Sequence, residues 1–249
     1  MKEKEPGAKT QIPQSIKIEV LDRGPLLVFG RPPLRLQFIM TDEQGAGLNF
    51  RAGRAFDTSA EPTALCRCGA SSHKPYCDGS HEHAEWESEL TADLKPLLEG
   101  ARYYRGEGVV LADNERYCVS ARFCDARGGA WNLVEKSSDP AARDIVEQEA
   151  NHCPNSRLSV WDPATGQSRE KKLPPALGLI EDPAMGVSGG VLVTGCIPVE
   201  NQAGERYELR NRVVLCRCGA SSNKPYCDGA HIGERFRDGI QGTPDGEEW

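Results

Sequence analysis

The chain has 249 residues, ten of them cysteines, and a formal net charge of −7 at pH 7. It has no basic block of the kind that binds nucleic acid or an anionic membrane. It also has no apolar run of the roughly 18 residues that a membrane span needs. The first residues, MKEKEPGAKTQIPQ, lack the apolar core of a signal peptide. We therefore expect a soluble, cytoplasmic protein with reduced cysteines.

The first part of the chain is predicted to be β-rich, after a flexible tail at residues 1–14. Alternating or continuous apolar residues at 16–20, 26–30 and 34–39 predict three strands. A polar stretch at 41–62 follows them. Residues 85–100 have weak helical character that Pro96 interrupts.

A seventeen-residue stretch occurs twice, as LCRCGASSHKPYCDGSH at 65–81 and as LCRCGASSNKPYCDGAH at 215–231. We call these the first and second motifs. Alternate residues of an extended segment point the same way, so the two thiols of each Cys-x-Cys can face one metal. The histidine follows the third cysteine by four residues, one helical turn later. The candidate ligands are Cys66, Cys68, Cys77 and His81, and Cys216, Cys218, Cys227 and His231.

Three interpretations of this donor set compete. Three thiolates and one imidazole suit a structural zinc ion or an iron–sulfur cluster. Disulfides are disfavoured, because a Cys-x-Cys pair bridges poorly and nothing marks the chain as secreted.

Three further cysteines lie between the motifs. A short strand at 108–111 precedes Cys118 and Cys124, and residues 139–153 are predicted to be helical, with Asp139 as the N-cap and Pro140 in the first turn. Pro154 follows Cys153 and ends the helix.

The Cys-x5-Cys and remote Cys-Pro pattern is similar to that of a bacterial [4Fe–4S] ferredoxin, in which a further cysteine stands between the first two. Ala121 occupies that place here. This favours a [3Fe–4S] cluster, or a [4Fe–4S] cluster whose fourth ligand comes from elsewhere. His152 and Asp125 are candidates for that ligand, with capping or surface roles as the alternative. Three structural thiols without a cluster are the alternative.

The repeated pattern C-x-C-x2-S-x3-P-x-C-D-G-[S/A]-H resembles that of the CDGSH, or NEET, iron–sulfur family. The resemblance implies one [2Fe–2S] cluster per motif, held by three cysteines and one histidine. Residues 103–161 resemble the divergent monocluster ferredoxin domains. The resemblance therefore implies Cys118, Cys124 and Cys153 as ligands of a third cluster.

The repeat extends beyond the motifs, because residues 24–30 align with residues 189–195. Cys196 then falls opposite Arg31, and we interpret it as a small strand residue. We expect an α+β fold in which two CDGSH halves form a β-rich NEET-like pseudo-dimer around a small ferredoxin-like α+β domain. The expected order is a tail (1–14), the first half (15–85), a linker (86–102), the ferredoxin-like domain (103–165), a linker (166–177), the second half (178–240) and an acidic tail (241–249). We expect its last residues, TPDGEEW, to be disordered.

The expected function is one-electron transfer by a monomer. No paired carboxylates, Ser–His constellation, P-loop or Rossmann glycines indicate an enzyme. The expected partner is a redox protein or an apo-acceptor, with no nucleic acid and no membrane. The alternatives are an iron–sulfur cluster donor, a redox or pH sensor, and a structural zinc protein.

Overall fold

The computed structural model describes residues 16–246 and residue 248, so the predicted tail at 1–14 lies outside the described residues. Strands dominate, and none of the helices in the described part is long and apolar enough to cross a membrane. The strands are β1 (Lys17–Val20), β2 (Leu26–Phe29), β3 (Leu34–Thr41), β4 (Gly47–Phe56), β5 (Thr63–Leu65), β6 (Arg102–Arg105), β7 (Val110–Asp113), β8 (Leu158–Trp161), β9 (Ala176–Asp182), β10 (Val187–Thr194), β11 (Val199–Asn201) and β12 (Arg212–Leu215). The α-helices are α1 (Ala130–Val134), α2 (Pro140–His152) and α3 (Ala230–Gly233).

Two mixed sheets are built from both halves of the chain. The first has the strand order β11-β1-β2-β5, and the second has the order β12-β10-β9-β3-β4. Each half lends one strand to the sheet of the other. Strand β11 pairs in parallel with β1, with Ile18 opposite Val199, and β3 pairs in parallel with β9, with Leu34 opposite Leu177.

This exchange makes the two halves equivalent. Strand β1 corresponds to β9, β2 to β10, β3 to β11 and β5 to β12. The order β11-β1-β2-β5 in the first sheet therefore matches the order β3-β9-β10-β12 in the second. The alignment of residues 24–30 with 189–195 agrees with the backbone, because Gly30 and Gly195 have φ of 79° and 73°. The predicted β-rich pseudo-dimer with an inserted domain is confirmed.

The core is shared between the halves. Because alternate residues of a strand face one side, β1 turns Ile18 and Val20 inward, and β9 does the same with Leu177 and Leu179. Burying each such side chain stabilises the fold by about 2 kcal/mol. Both halves therefore depend on one core, which also contains Leu26, Val28, Leu36, Val191, Val193 and Val213.

The inserted part has its own small core. Strands β6, β7 and β8 form an antiparallel sheet, and α1 and α2 pack beside it. Helix α2 begins where the sequence predicts, because the Asp139 side chain accepts a hydrogen bond of 3.0 Å from the Ala141 backbone N–H. The buried residues of this small core are Val109, Leu111, Ala130, Val134, Val146, Ala150, Leu158 and Val160.

The sequence missed one strand, and three predictions of local structure are wrong. Residues 41–62 contain the ten-residue strand β4, whose pairing with β3 is interrupted by two register shifts that disturb the alternation of buried and exposed positions. Residues 85–100 form only a 3₁₀ turn at Leu97–Gly100. The tail is ordered at Gly246, whose N–H donates to the Ala52 carbonyl at 2.8 Å. Cys196 is an exposed turn residue with φ of 57°, beyond the end of β10.

The two motifs meet at a pair of glycines. A Cβ added to Gly69 would lie 2.6 Å from the Cys218 carbonyl oxygen, and one added to Gly219 would lie 2.5 Å from the Cys68 carbonyl oxygen. Both glycines have positive φ, of 80° and 84°. Only glycine permits this backbone conformation together with so close an approach.

We therefore expect Gly219→Ala to lower the free energy of unfolding by about 3 kcal/mol, because strain in φ is added to a clash with rigid backbone. Gly204 is a matched control, since its φ of 81° is similar and no atom lies within 4 Å of an added Cβ. Gly204→Ala should cost about 1 kcal/mol. Urea unfolding of the full chain measures both, and equal losses would refute the contact between the motifs.

Candidate functional site

The first motif begins where β5 ends. The Cys66 N–H donates to the Pro75 carbonyl at 2.8 Å, and the Cys77 N–H donates to the Ala64 carbonyl at 2.9 Å. These bonds fold the loop back on the strand and bring the predicted donors together in pairs. The sulfurs of Cys66 and Cys68 lie 3.8 Å apart, and the Cys77 sulfur lies 3.2 Å from Nδ1 of His81.

The second motif repeats this geometry. The Cys216 N–H donates to the Pro225 carbonyl at 2.8 Å. The sulfurs of Cys216 and Cys218 lie 3.7 Å apart, and the Cys227 sulfur lies 3.4 Å from Nδ1 of His231. The same local sequence thus gives the same local fold in both halves.

Side chains within each loop fix its shape. Ser71 Oγ donates to the Tyr76 carbonyl at 2.7 Å, and the Ser72 N–H donates to the Asp78 carboxylate at 2.8 Å. Hydrogen bonds from Ser80 and Ser72 hold the pKa of Asp78 well below its ordinary value. In the second motif, Ser221, Ser222 and Asp228 make the equivalent bonds.

The predicted donors of each motif lie in two pairs. All ten cysteines are free. Within residues 16–246 and 248, no three or more His, Cys, Asp or Glu side chains converge on a position for one metal ion. Three thiols and one imidazole per motif are donors that fit an iron–sulfur cluster.

One thiol of each Cys-x-Cys pair has a lowered pKa. The hydrogen bond between Cys66 and Cys68 lowers the pKa of Cys66 and raises that of Cys68, and Cys216 and Cys218 show the same opposite shifts. A thiolate is the form that binds metal. By contrast, burial raises the pKa of Cys77 and Cys227.

An arginine stands between the two cysteines of each Cys-x-Cys. Arg67, only 1% exposed, donates to backbone carbonyls alone, among them Gly24 at 3.0 Å and Ser88 at 3.1 Å. Its guanidinium lies 4.6 Å from the centre of the Trp86 ring. Burial lowers the pKa of Arg67 to about 10.

Arg217 has a different environment. It donates to the Gly189 carbonyl at 2.7 Å and to the Glu181 carboxylate at 2.7 Å, and it also pairs with Asp238. Burial alone would lower the pKa of Arg217, but Asp238 and Glu181 raise it. Asp238 occupies the position equivalent to Ser88, since both follow their motifs at the same interval. The second half thus holds one buried carboxylate, Asp238, and one half-buried carboxylate, Glu181, near its arginine.

The three inserted cysteines, Cys118, Cys124 and Cys153, line one cavity together with Ala121 and Pro154. The structure therefore brings together all three, as the ferredoxin resemblance implies. Burial raises the pKa of Cys124 to about 12 and also raises that of Cys153.

Neither predicted fourth ligand lines this cavity. The Asp125 carboxylate lies 3.7 Å from the Cys124 sulfur. His152 contacts the Phe123 ring, with 5.6 Å between ring centres, and lines a different, polar cavity beside Glu147 and Arg169. Its surroundings thus favour a packing role.

The inserted cysteines lie against the second motif. Asn155, which is fully buried, donates to the Tyr117 and Cys227 carbonyls, both at 3.1 Å, and accepts from the Val214 N–H at 2.8 Å. A Cβ added to Gly229 would lie 3.4 Å from the Cys118 carbonyl oxygen. Sequence reasoning did not find Asn155, because nothing local marks an asparagine that bonds across the fold.

The comparisons with known proteins agree with this geometry. Residues 23–82 and 188–232 match the family described as iron-binding zinc finger, CDGSH type, and residues 104–163 match the family described as divergent 4Fe-4S mono-cluster. Both flanks are CDGSH segments, and the middle is a mono-cluster segment. The predicted resemblance is confirmed, and the chain is an iron–sulfur protein. No curated protein and no solved structure matches it.

We expect Asp238→Asn to lower the free energy of unfolding by about 2 kcal/mol, because buried Arg217 loses a charged partner. The matched control is Asp93→Asn, which weakens an exposed 2.9 Å pair with Arg116. That change should have little effect on stability, because solvent screens the pair. Equal effects of the two variants in denaturant unfolding would contradict a role for Asp238 in holding Arg217.

Proposed function

We propose that this chain is a one-electron carrier with a [2Fe–2S] cluster at each CDGSH motif and a [3Fe–4S] or [4Fe–4S] cluster at the inserted cysteines. The observation that carries the proposal is the pairing of donors, two and two, at both of two motifs in direct contact. The proposed ligands are Cys66, Cys68, Cys77 and His81; Cys216, Cys218, Cys227 and His231; and Cys118, Cys124 and Cys153.

Bound iron–sulfur clusters accept and release single electrons without a change of covalent partners in a substrate. The protein's part is to set the charge and the surroundings of each cluster. A neutral imidazole in place of a thiolate makes a site less negative, as in Rieske centres, and raises its potential. Burial of Cys66, Cys216 and Cys227 limits access of water to the ligands.

We further propose that the protein is a cytoplasmic monomer and that its partner is a redox protein. The shared core and the exchanged strands support the monomer, since one chain supplies both sides of the pseudo-dimer. Covalent linkage of the halves replaces an association that depends on concentration.

A second candidate function is donation of a cluster to an apo-acceptor. The observation that favours it is the partial exposure of Cys77, whose equivalent Cys227 is buried. The acceptor would reach the first motif more readily than the second. Loss of colour from the protein on mixing with an apo-acceptor, at a rate that depends on acceptor concentration, would favour donation over electron transfer.

We predict about seven or eight iron atoms per chain, from two binuclear clusters and one cluster of three or four irons. Replacing Cys118, Cys124 and Cys153 together with serine should leave about four, because only the inserted ligands are lost. Iron, zinc and acid-labile sulfide assays on anaerobically purified protein measure this. Colourless protein with zinc and no sulfide would refute the proposal, whereas four irons in the wild type would remove only the third cluster.

We predict that His81→Cys lowers the potential of the first motif and His231→Cys that of the second, because a thiolate adds negative charge next to the iron. Each change should leave the potential of the other motif close to its wild-type value. A redox titration followed by EPR measures both. Unchanged potentials in both variants would show that the histidines are not ligands.

A further inference from the structure

The inserted part of the chain, which contains β6, β7, α1, α2 and β8, is called the insert below. It lies against only one of the two motifs at equivalent positions, although their sequences are nearly identical. It touches the second motif through Asn155, whose amide donates to the Cys227 carbonyl, and through the approach of Gly229 to Cys118. The equivalent of Gly229 in the first motif is Gly79, and an added Cβ there would meet no atom within 4 Å. The inserted cysteines therefore adjoin the second motif and leave this face of the first motif open.

Asn155 also holds the inserted ligands in place. It is two residues after Cys153, and its amide donates to the Tyr117 carbonyl, which belongs to the peptide group joined to Cys118. One buried side chain thus fixes the distance between two groups of proposed ligands.

The second motif touches the first motif on another side. The reciprocal approach of Gly69 to Cys218 and of Gly219 to Cys68 brings the two Cys-x-Cys segments into backbone contact. The second motif therefore contacts two other groups of proposed ligands: the first motif through Gly69 and Gly219, and the inserted cysteines through Asn155. Of these contacts, the first motif makes only the one between the glycines.

The third cysteine and the histidine are more buried in the second motif, whereas the second cysteine is more buried in the first. Cys227 and His231 are buried, whereas Cys77 and His81 are partly exposed. Segments from elsewhere in the chain cover the second motif: the Thr91 hydroxyl donates to the Ser222 carbonyl at 2.7 Å. The Ala92 N–H likewise donates to the Lys224 carbonyl at 2.8 Å.

The position of greatest contrast is 73, where the first motif has histidine and the second has asparagine. The His73 side chain is 79% exposed. Asn223 is 3% exposed, and its amide nitrogen lies 3.4 Å from the Arg116 carbonyl oxygen of the insert. One of the two sequence differences between the motifs thus coincides with the difference between an exposed loop and a buried one.

We propose that the three sites form a relay of fixed order, in which the second motif stands between the inserted cysteines and the first motif, and the first motif is the surface where a one-electron redox protein docks. This inference rests on the proposed function. Each transfer moves one electron between neighbouring sites, with no bond made or broken, and a donor protein and an acceptor protein supply and remove it. Because electron tunnelling falls steeply with distance, the contacts through Asn155 and the paired glycines define the route.

The test uses the iron-loaded full chain, fully reduced, and measures the microwave power at half saturation of each motif's EPR signal. His81→Cys shifts only the first motif's signal and so assigns the two signals. We expect the second motif's signal to relax faster than the first's, because a paramagnetic neighbour at the inserted cysteines shortens its relaxation time. The variant with serine at positions 118, 124 and 153 should lose this difference.

A second measurement needs no variant of the insert. A soluble gadolinium complex should speed the relaxation of the first motif's signal more than that of the second, because Cys77 and His81 are the more open ligands. Equal effects of the complex on both signals, or no change at the second motif in the serine variant, would overturn the relay order. An iron count without a third cluster would instead show that the proposed function fails at the insert.

Discussion

The exchange of strands between the halves is the constraint on which the rest of the structure depends. The parallel pairs β1·β11 and β3·β9 place each half in the sheet of the other, so neither half has a complete sheet or a separate core. This arrangement sets the two motifs face to face at Gly69 and Gly219. The contact between the proposed sites thus depends on the sheet topology as well as on these two glycines.

The insert breaks the symmetry that the strands impose. Identical donor sets have the same local geometry, yet one lies under the insert and the other is partly open. The buried carboxylate of Asp238, where the first half has Ser88, adds a difference in charge. Because the ligands are the same in kind, differences in behaviour between the two sites must arise from burial, neighbouring charge and contact with the insert.

Local patterns predicted local structure well. Strands β1 to β3 follow apolar runs, and α2 follows a cap, a proline at its start and a proline after its end. The predictions failed where distant groups decide. Strand β4 depends on bulged pairing with β3, and residues 85–100 stay irregular because Arg67 and Lys224 engage their backbone. Arg31 and Cys196 each have a left-handed backbone conformation at equivalent positions in the two halves. Neither residue type favours that conformation, so the sequence did not predict it.

The sequence by itself determined the donors, their spacing and the loop that holds them, because the hydrogen bonds of Ser71 and Ser72, and those of Ser221 and Ser222, join residues close in the chain. It also revealed the duplication and the three inserted cysteines. Only the tertiary structure decided which motif the insert covers, that Asn155 reaches Cys227, and that Arg217 meets two carboxylates. Those contacts join residues tens of positions apart, and only the packing of the sheets and the insert brings them together.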